Sequence, residues 1–553
     1  MADASYDAVV IGGGHHSLIL GCYLQNAGMS TAILERNQEL GGGLCGDEVP
    51  LPAFLANTCA HWTRFYSHPA YEDFNLRDYG LQLVFPEGGQ GMVFDNGTCI
   101  VGYTAEPVVD QITGRSEFSA KNAEKTIAEI AKFSERDAET ARLIMEKWQR
   151  KWRRAFWEYY FNPPDPWGVK NPMERLIDDP EDGIDPVYQF MNAHQLAYDL
   201  FESNEMRAFF LRSVMVSCTA WFSDVIGLDQ LLGVLSLCLS VRAPSIVIGG
   251  THAIAHALQK AFSAMGGQFF VHHEVDKIII DNGKAKGVRL TDGTVIEAKK
   301  LVISAVDVTQ TIVRLVGEEH VSRKIAHRAK NIWYGTGVIW GNVAMHEPPK
   351  YKAAEFNPDV QYVPRLCWGP NDPEYMRKKM QAEAYTRGFP SKLIVITGMD
   401  SLWDKTRAPQ GKHICLFEEF SAPASYFTER EWLKIKRDLF HELIQQWAEY
   451  APNMTPDNVI GIQADTSYDT EQRNINMRDG DTAVGRMVVS QMGRFRPFAE
   501  LSRYKTPIQN LYISGAGTHY GLGTARSNSY NCFKVIADDF GLEKIWEKKG
   551  RLY

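Results

Sequence analysis

The sequence predicts an α/β fold, and three observations in its first 35 residues carry that prediction. Ala8 to Ile11 is a short apolar run of the kind that forms a strand buried on both faces of a parallel sheet. The turn GGGHHS at 12–17 follows at once and leads into a segment with helical composition, His15 to Ala27. A second apolar strand, Thr31 to Leu34, ends at Glu35, so the segment is typical of a βαβ unit.

The residues at the turn have the chemistry of a dinucleotide site. Gly12 permits the tight turn, and Gly14 lets the backbone approach a pyrophosphate, which the amides and dipole of the following helix would hold. Glu35 lies close to the roughly 20-residue spacing at which an acid meets the ribose hydroxyls. Ser17 replaces the third glycine of the usual pattern, and it is small enough for close packing of helix and strand. We therefore expect an adenine dinucleotide here.

Two later segments also have the short strands and glycine turns expected of a nucleotide-binding domain. Short strands and turns fill 246–305, and a strand followed by a glycine-rich loop occupies 511–524, where we expect a helix to begin near Thr524. We expect residues 1–75, 245–320 and 480–553 to form one discontinuous nucleotide-binding domain. A substrate-binding domain with a helical cap would then comprise 76–244 and 321–479.

Aromatic residues mark the predicted cap and substrate domain. Trp148, Trp152, Phe156 and Tyr160 recur every four residues with basic residues between them, a pattern that fits a helix packed on its own domain or one that dips into a membrane surface. The first of these interpretations is favoured because it is the commoner one. Candidate walls of a substrate cavity are Trp333, Tyr334, Trp340, Trp368 and Phe417, together with the segment CAHWTRFY at 59–66.

Composition excludes several classes of function. The formal charge of −8 over 553 residues gives no general attraction to nucleic acid, and 44% hydrophobic residues is an ordinary globular content. The nine cysteines are scattered without a CxxC, which favours a reducing compartment and argues against dithiol chemistry. No metal-site spacing occurs. We expect a cytoplasmic protein without a membrane span, and peripheral membrane contact is left open.

Four stretches together resemble one known family. GGGHHSL at the first turn, ERNQELGGG at 35–43, VDKIIIDNGKAKGVRLTDGT with VISAVD at 275–307, and RPFAELSRYKTPIQNLYISGAGTHYGLG at 496–523 look like the flavin amine oxidase superfamily. The resemblance is to its phytoene desaturase and carotenoid isomerase-like branch, and most closely to members described as pyridine nucleotide-disulphide oxidoreductase domain-containing proteins. It implies a Rossmann-like (GR2-type) FAD-binding domain with an inserted α+β substrate domain.

The resemblance also implies which residues bind FAD. They are Gly12, Gly14, Glu35, Arg36, Gly42, Gly43, Leu44, the backbone of Val275, Gly515, Gly523 and Thr524, with His15, His16 and Ser17 at the start of the first helix and Ala305 after a central strand. The chain departs from the family at Tyr520–Gly523, where the family has Pro-Gly-Gly-Gly. This departure lies where the flavin ring is expected and argues against a carotenoid substrate.

The function we expect is an FAD-dependent oxidoreductase that dehydrogenates a lipophilic or aromatic small molecule. Hydride would pass to flavin N5 while a proton leaves the adjacent atom, giving a double bond. His519 or His61 would take that proton, and Tyr520 and Tyr66 would shape the pocket. The sequence does not identify the electron acceptor, for which oxygen and a quinone are both open, or the oligomeric state.

Three other functions fit the same motifs. An amine oxidase would release hydrogen peroxide, and a redox-neutral isomerase or a saturase would use reduced FAD. A flavin-containing scaffold or partner-binding protein would bind FAD and turn nothing over.

Overall fold

The computed structural model describes residues 2–61, 63–106, 108–109, 116–218, 220–242, 244–387, 392–551 and 553. Trp62, part of the predicted cavity segment, lies outside these residues. The strands are β1 Ala4–Ile11, β2 Thr31–Leu34, β3 Gly46–Glu48, β4 Leu55–Asn57, β5 Leu83–Val84, β6 Gly88–Phe94, β7 Cys99–Tyr103, β8 Val108–Val109, β9 Ser116–Glu117, β10 Ile246–Val247, β11 Gln268–Phe270, β12 Val275–Asp281, β13 Lys284–Leu290, β14 Val295–Ser304, β15 Gly337–Met345, β16 Arg365–Gly369, β17 Val395–Gly398, β18 His413–Ser421, β19 Val459–Asp465 and β20 Leu511–Ile513.

Sixteen α-helices connect these strands in the described part of the chain. They are α1 His15–Asn26, α2 Pro69–Asp73, α3 Ala120–Ala131, α4 Glu135–Lys147, α5 Arg153–Tyr160, α6 Pro172–Ile177, α7 Ala193–Leu200, α8 Asn204–Cys218, α9 Gly227–Cys238, α10 His252–Ala264, α11 Arg323–Lys330, α12 Pro373–Tyr385, α13 Glu429–Tyr450, α14 Ser467–Arg473, α15 Asn528–Phe540 and α16 Ile545–Lys548. None of the described helices is both long enough and apolar enough to cross a bilayer.

The first sheet confirms the predicted α/β fold. Its strands lie in the order β11-β2-β1-β14-β13-β12, and β20 pairs with β14. The strands β2, β1, β14 and β20 run parallel and end in register, with Ile11 beside Leu34 and Ser304, and Ser304 beside Ile513. Backbone bonds continue one residue further, from Ala305 N to Ile11 O (2.9 Å) and from Ser514 N to Ser304 O (2.9 Å). The loops that follow these strands therefore meet at one edge of the sheet.

A second seven-stranded sheet, ordered β19-β15-β18-β17-β16-β6-β7, is built from the middle of the chain. Helix α13 packs on one face of it. Trp368 and Phe417, which we expected to line a cavity, instead belong to the core beneath α13. Trp333 is 62% exposed and does not line the cavity described below.

The aromatic stripe of the cap is buried within the protein. Trp148, Trp152, Phe156 and Tyr160 are each at most 5% exposed, so this stripe offers no surface to a membrane. Its helix is interrupted by a π-helical turn at Trp148–Trp152. The interpretation as a helix packed on its own domain is therefore the correct one.

Two local predictions need correction. The turn residues at 87–89 and 96–97 in the sequence favour a hairpin at each position, but only the second is a hairpin turn, between β6 and β7, because β5 pairs instead with the distant β10. The last long helix begins at Asn528, four residues after the predicted Thr524, because the preceding glycine-rich loop is held as an irregular segment.

Adjacent acids on β18 point to opposite faces of the second sheet, as strand geometry requires. Glu419 turns away from the site described below and contacts Lys379 Nζ, which also contacts Glu383 (2.5 and 2.6 Å). All three side chains are 1% exposed. Burial raises the pKa of the Glu383 carboxyl to about 7. One buried lysine therefore holds two carboxylates directly behind Glu418.

Replacing Lys379 by Met should destabilise the protein strongly, because removing one partner of a buried ion pair leaves uncompensated charge and costs about 3–5 kcal/mol. We expect a fall of several degrees in the thermal midpoint of the protein. Lys378→Met, at the exposed neighbouring position, is the matched control and should change little. Equal midpoints for the two variants would contradict the role of the triad. Adding Glu383→Gln and Glu419→Gln to Lys379→Met should restore part of the loss.

Candidate functional site

One cavity lies where the strand ends of the first sheet meet the second sheet. It holds about 2200 Å³ of space free of atoms, part of which is open to solvent. Most of the residues expected to bind a dinucleotide line it, namely Gly12, Gly14, His15, His16, Ser17, Glu35, Arg36, Gly42, Gly43, Val275, Ala305, Gly515, Gly523 and Thr524. Leu44 does not line the cavity and packs in the core.

The glycines of the first turn have distinct roles. Gly12 has a φ of +91°, and a Cβ there would lie 3.1 Å from Val306. A Cβ on Gly14, at the N-terminus of α1, would meet no protein atom within 4 Å and would point into open space. The second glycine loop lies against this turn, since Gly41 N donates to Gly13 O (2.9 Å). The open side of Gly14 is therefore a cradle that a ligand's phosphates can approach.

Glu35 closes this turn as well as facing the cavity. Its Oε2 accepts from the amide of Gly13 (2.6 Å) and its Oε1 accepts from the amide of Asn37 (2.8 Å). A carboxylate has further lone pairs, so it can still accept from a ribose hydroxyl. The acid expected to bind the ribose thus also fixes the shape of the phosphate loop.

Buried polar atoms at the start of α1 fit a bound dinucleotide. His15 Nε2, both ring nitrogens of His16 and Ser17 Oγ are buried without a hydrogen-bond partner among the described residues. Burial lowers the pKa of His15 to about 4 and that of His16 well below its ordinary value, so both rings are neutral near pH 7. Leaving such groups unpaired costs about 1–3 kcal/mol each, which ligand oxygens and hydroxyls at this position would offset.

The C-terminal glycine loop faces the same cavity. Gly515 has a φ of +90°, and a Cβ there would lie 2.7 Å from the carbonyl of Ala305. The side-chain amide of Asn528, the first residue of α15, donates to the carbonyls of Gly515 and Thr518 (3.0 and 2.9 Å). These bonds fix the loop so that it points at the cavity.

The opposite wall comes from the second sheet. Trp340 on β15 is in register with Glu418 on β18, and Val338 is in register with Phe420. All four side chains line the cavity. This wall of four side chains is apolar except for one acid.

Glu418 and His61 form a buried acid and base pair in this wall. His61 Nδ1 lies 3.3 Å from Glu418 Oε1. Burial raises the pKa of Glu418 to about 7 against the opposing effect of Arg212 and Arg365, and burial together with Arg365 lowers the pKa of His61 well below its usual value. Near neutral pH, Glu418 therefore exchanges a proton easily while His61 stays neutral. Glu418 was not among the residues predicted from the sequence; its signal was a charged pair inside the apolar strand HICLFEEFS.

Arg365 positions His61 from behind. Its guanidinium pairs with Asp400 (2.6 Å) and donates to the backbone carbonyl of His61 (2.5 Å), and it is fully buried. The imidazole is therefore carried on a fixed backbone.

The other expected catalytic residues lie outside the cavity. His519 Nε2 donates to the carbonyl of Tyr159 (3.0 Å), and Tyr520 Oη donates to the carbonyl of Asp229 (3.2 Å). Tyr66 lines a separate, smaller cavity. Burial lowers the pKa of His519 to about 4. Of the four residues, the structure brings His61 alone to the cavity wall.

The described residues contain no cluster able to hold a metal ion.

A substitution at Gly14 should separate cofactor binding from folding. Gly14→Ala adds a methyl group where the protein leaves open space, so the apoprotein should keep its thermal midpoint while FAD affinity falls at least tenfold. Gly12→Ala should instead lower the midpoint, because its φ is strained for alanine. The readouts are the ratio of FAD to protein after gel filtration and the midpoint of the apoprotein. Full FAD retention by Gly14→Ala would show that the phosphates do not lie here.

Comparison with known proteins agrees with this geometry. The family model for flavin containing amine oxidoreductase matches residues 18–340. A limonene dehydrogenase component from Castellaniella defragrans is 26% identical over 98% of this chain and 96% of its own length. Pyridine nucleotide-disulfide oxidoreductase domain-containing protein 2 of Rattus norvegicus is 24% identical over 97% and 94%. A phytoene desaturase (lycopene-forming) of Pseudescherichia vulneris is 22% identical over 93% and 95%.

The fold is shared with solved structures as well. A variant of putrescine oxidase superposes with a TM-score of 0.58 at 13% identity, covering 97% of this chain and 98% of the other. The resemblance that the sequence motifs indicate is therefore confirmed, and so is FAD as the cofactor. The chain belongs to the flavin containing amine oxidoreductase family and is an FAD-dependent oxidoreductase.

Proposed function

We propose that the protein dehydrogenates a lipophilic or aromatic small molecule, and that Glu418, assisted by His61, takes the proton released from the substrate. The observation that carries this proposal is the single acid in the apolar wall formed by Trp340, Val338 and Phe420. An apolar wall with one titratable pair fits a substrate that is held by shape and loses a proton at one defined atom.

The part of the cavity lining that the second sheet and the cap supply agrees with a substrate that has an apolar portion. Val216 and Leu237 from the cap line it in addition to the wall of the second sheet. Among the relatives, the limonene dehydrogenase component is named for the dehydrogenation of a hydrocarbon. This relation at 26% identity favours a C–H bond as the bond that is broken.

FAD, held by the glycine turn at 12–14, Glu35 and the loop at Gly515, would supply the two-electron acceptor for the hydride. The chain's own groups handle the proton. Glu418 in its carboxylate form accepts the proton from the atom next to the one that loses hydride, and a double bond forms between the two. His61, neutral and 3.3 Å from Glu418, orients the carboxylate. The buried Arg212, whose charge lowers the pKa of Glu418, keeps the carboxylate form accessible near neutral pH.

The first test is anaerobic mixing of the FAD-loaded protein with three classes of compound: monoterpenes such as limonene, aryl alkanes, and primary amines. Bleaching of the oxidised flavin band by either of the first two classes is the expected result. Re-oxidation with oxygen or with a soluble quinone then identifies the acceptor. Bleaching by amines alone, with release of hydrogen peroxide, would replace the proposal with an amine oxidase.

Glu418→Gln should slow flavin reduction by a factor of about 10² to 10⁴, the usual contribution of a general base. In the native protein the pKa of Glu418 is about 7, so the basic form dominates above that pH and the reduction rate should fall as pH drops below 7. The variant should lose this limb of the pH profile. Rapid-mixing measurements from pH 5.5 to 9 check both effects.

Glu442→Gln, at an exposed position on α13, is the control and should keep the native rate and profile. Glu418→Asp should restore part of the rate, because it retains a carboxylate. A pH profile that is the same in Glu418→Gln and the native protein would rule Glu418 out as the base.

A further inference from the structure

Among the arginines that line the same cavity, three form a group that the proposed chemistry does not use. They are Arg64, three residues after His61, Arg242, which lies just after α9, and Arg526, at the end of the C-terminal glycine loop. They come from three distant parts of the chain and converge on one cavity. This convergence is the observation that carries the inference.

Each guanidinium is held in place by neighbouring groups. Arg64 Nη2 donates to the backbone carbonyl of Arg242 (3.3 Å), which links the two residues directly. Arg242 Nε donates to Ser236 Oγ (2.9 Å). Its guanidinium carbon lies 4.9 and 5.4 Å from the ring centroids of Phe156 and Trp157. Phe156 of the aromatic stripe therefore packs against a buried cation.

Arg526 also packs against aromatic rings. Its guanidinium carbon lies 4.8 Å from the ring of Tyr520 and 5.2 Å from the ring of Tyr160. Tyr160 and Tyr520 pack against each other, with ring centroids 4.5 Å apart. Tyr520, which we expected from the sequence to shape the pocket, therefore contacts Arg526 and does not line the cavity itself.

The arrangement concentrates positive charge at the cavity surface. Burial and the neighbouring Arg242 lower the pKa of Arg64 to about 9, and burial lowers the pKa of Arg242, with Arg526 acting in the same direction. Arg64 and Arg242 also border the smaller adjacent cavity, where Glu106 lies near Arg242 and pairs with Arg153 (3.2 Å). Like charges held together at the wall of a cavity are costly, and an anion within the cavity would offset that cost.

We propose, building on the proposed function, that the substrate is an amphipathic acid whose carboxylate is bound by Arg64, Arg242 and Arg526 while its apolar part occupies the remainder of the cavity. A planar guanidinium matches a carboxylate with two parallel hydrogen bonds, which favours a carboxylate at this position. The aromatic and apolar neighbours of Arg242, including Leu237 beside its anchor Ser236, place its cation next to an apolar lining.

The phosphates of FAD are the other anions that these arginines could bind. Their expected cradle, at Gly14 and the start of α1, lies on the first sheet, whereas Arg242 is anchored to α9 and to the rings of the cap. The anchoring of Arg242 therefore favours the substrate. The cofactor's phosphates remain the outcome that the experiment must distinguish.

The test uses a matched pair of probes on the FAD-loaded protein. The first is a series of ω-phenylalkanoic acids from phenylacetate to 8-phenyloctanoate, and the second is the series of corresponding primary amides. Affinity is measured by perturbation of the flavin spectrum and by calorimetry. We expect the best carboxylate to bind about 10- to 100-fold more tightly than its amide, the usual worth of hydrogen bonds to a charged group.

Arg64→Gln and Arg526→Gln should each remove most of that preference while leaving the affinity for the amide within twofold. Arg154→Gln, the same change at an exposed position of α5, should leave the preference intact. The ratio of FAD to protein is measured for every variant. Loss of FAD in Arg64→Gln and Arg526→Gln would assign the arginines to the cofactor and overturn the inference.

Equal affinity for acids and amides, or binding of neither, would also overturn it. A different result would contradict the proposed function alone. If carboxylates bind tightly but no acid, hydrocarbon or aryl alkane bleaches the flavin, the anion site is supported and the dehydrogenation is ruled out.

Discussion

The structure depends on the common register of four parallel strands. Because Leu34, Ile11, Ser304 and Ile513 lie side by side, the glycine turn, the acid Glu35, the loop at Ala305 and the C-terminal glycine loop all emerge at one sheet edge. A one-residue slip of any of these strands would turn each side chain to the opposite face of the sheet and disrupt the packing on both faces. The core of the sheet therefore brings these loops together, and hydrogen bonds such as those of Glu35 and Asn528 then fix their shapes.

The second sheet supplies the titratable acid of the cavity wall, because successive side chains along a strand point to opposite faces. Along β18, Phe417 and Glu419 face α13 and the buried Lys379, while Glu418 and Phe420 face the cavity. Lys379 neutralises the acids behind the sheet, so Glu418 is the acid of this strand that remains open to a ligand. Burial then has opposite effects on the two partners at the wall, raising the pKa of the carboxyl and lowering that of His61. The result is a neutral base beside an acid that titrates near neutral pH.

Features encoded in short stretches could be predicted from the sequence. The βαβ unit follows from a strand, three glycines and the spacing to Glu35. Features that depend on distant pairing could not be predicted. The pairing of β5 with β10 and the register of Trp340 with Glu418 join remote segments, and no local pattern encodes them. His519 illustrates the same limit: it follows the expected glycine motif, yet its ring faces the backbone of Tyr159 in the cap. The division into two domains stays a prediction.

The aromatic stripe of the cap shows how one pattern can have two physical uses. Spacing of four residues gives Trp148, Trp152, Phe156 and Tyr160 one face of a helix, and that face is buried whether the partner is lipid or protein. What separates the two cases is the partner supplied by the rest of the chain. Here Phe156 contacts the guanidinium of Arg242 and Tyr160 contacts that of Arg526, so the face packs against cations that also line the cavity. A membrane-facing helix would have no reason to bury charge on its apolar side. The stripe is therefore better understood as the support of a charged ligand site than as a membrane anchor.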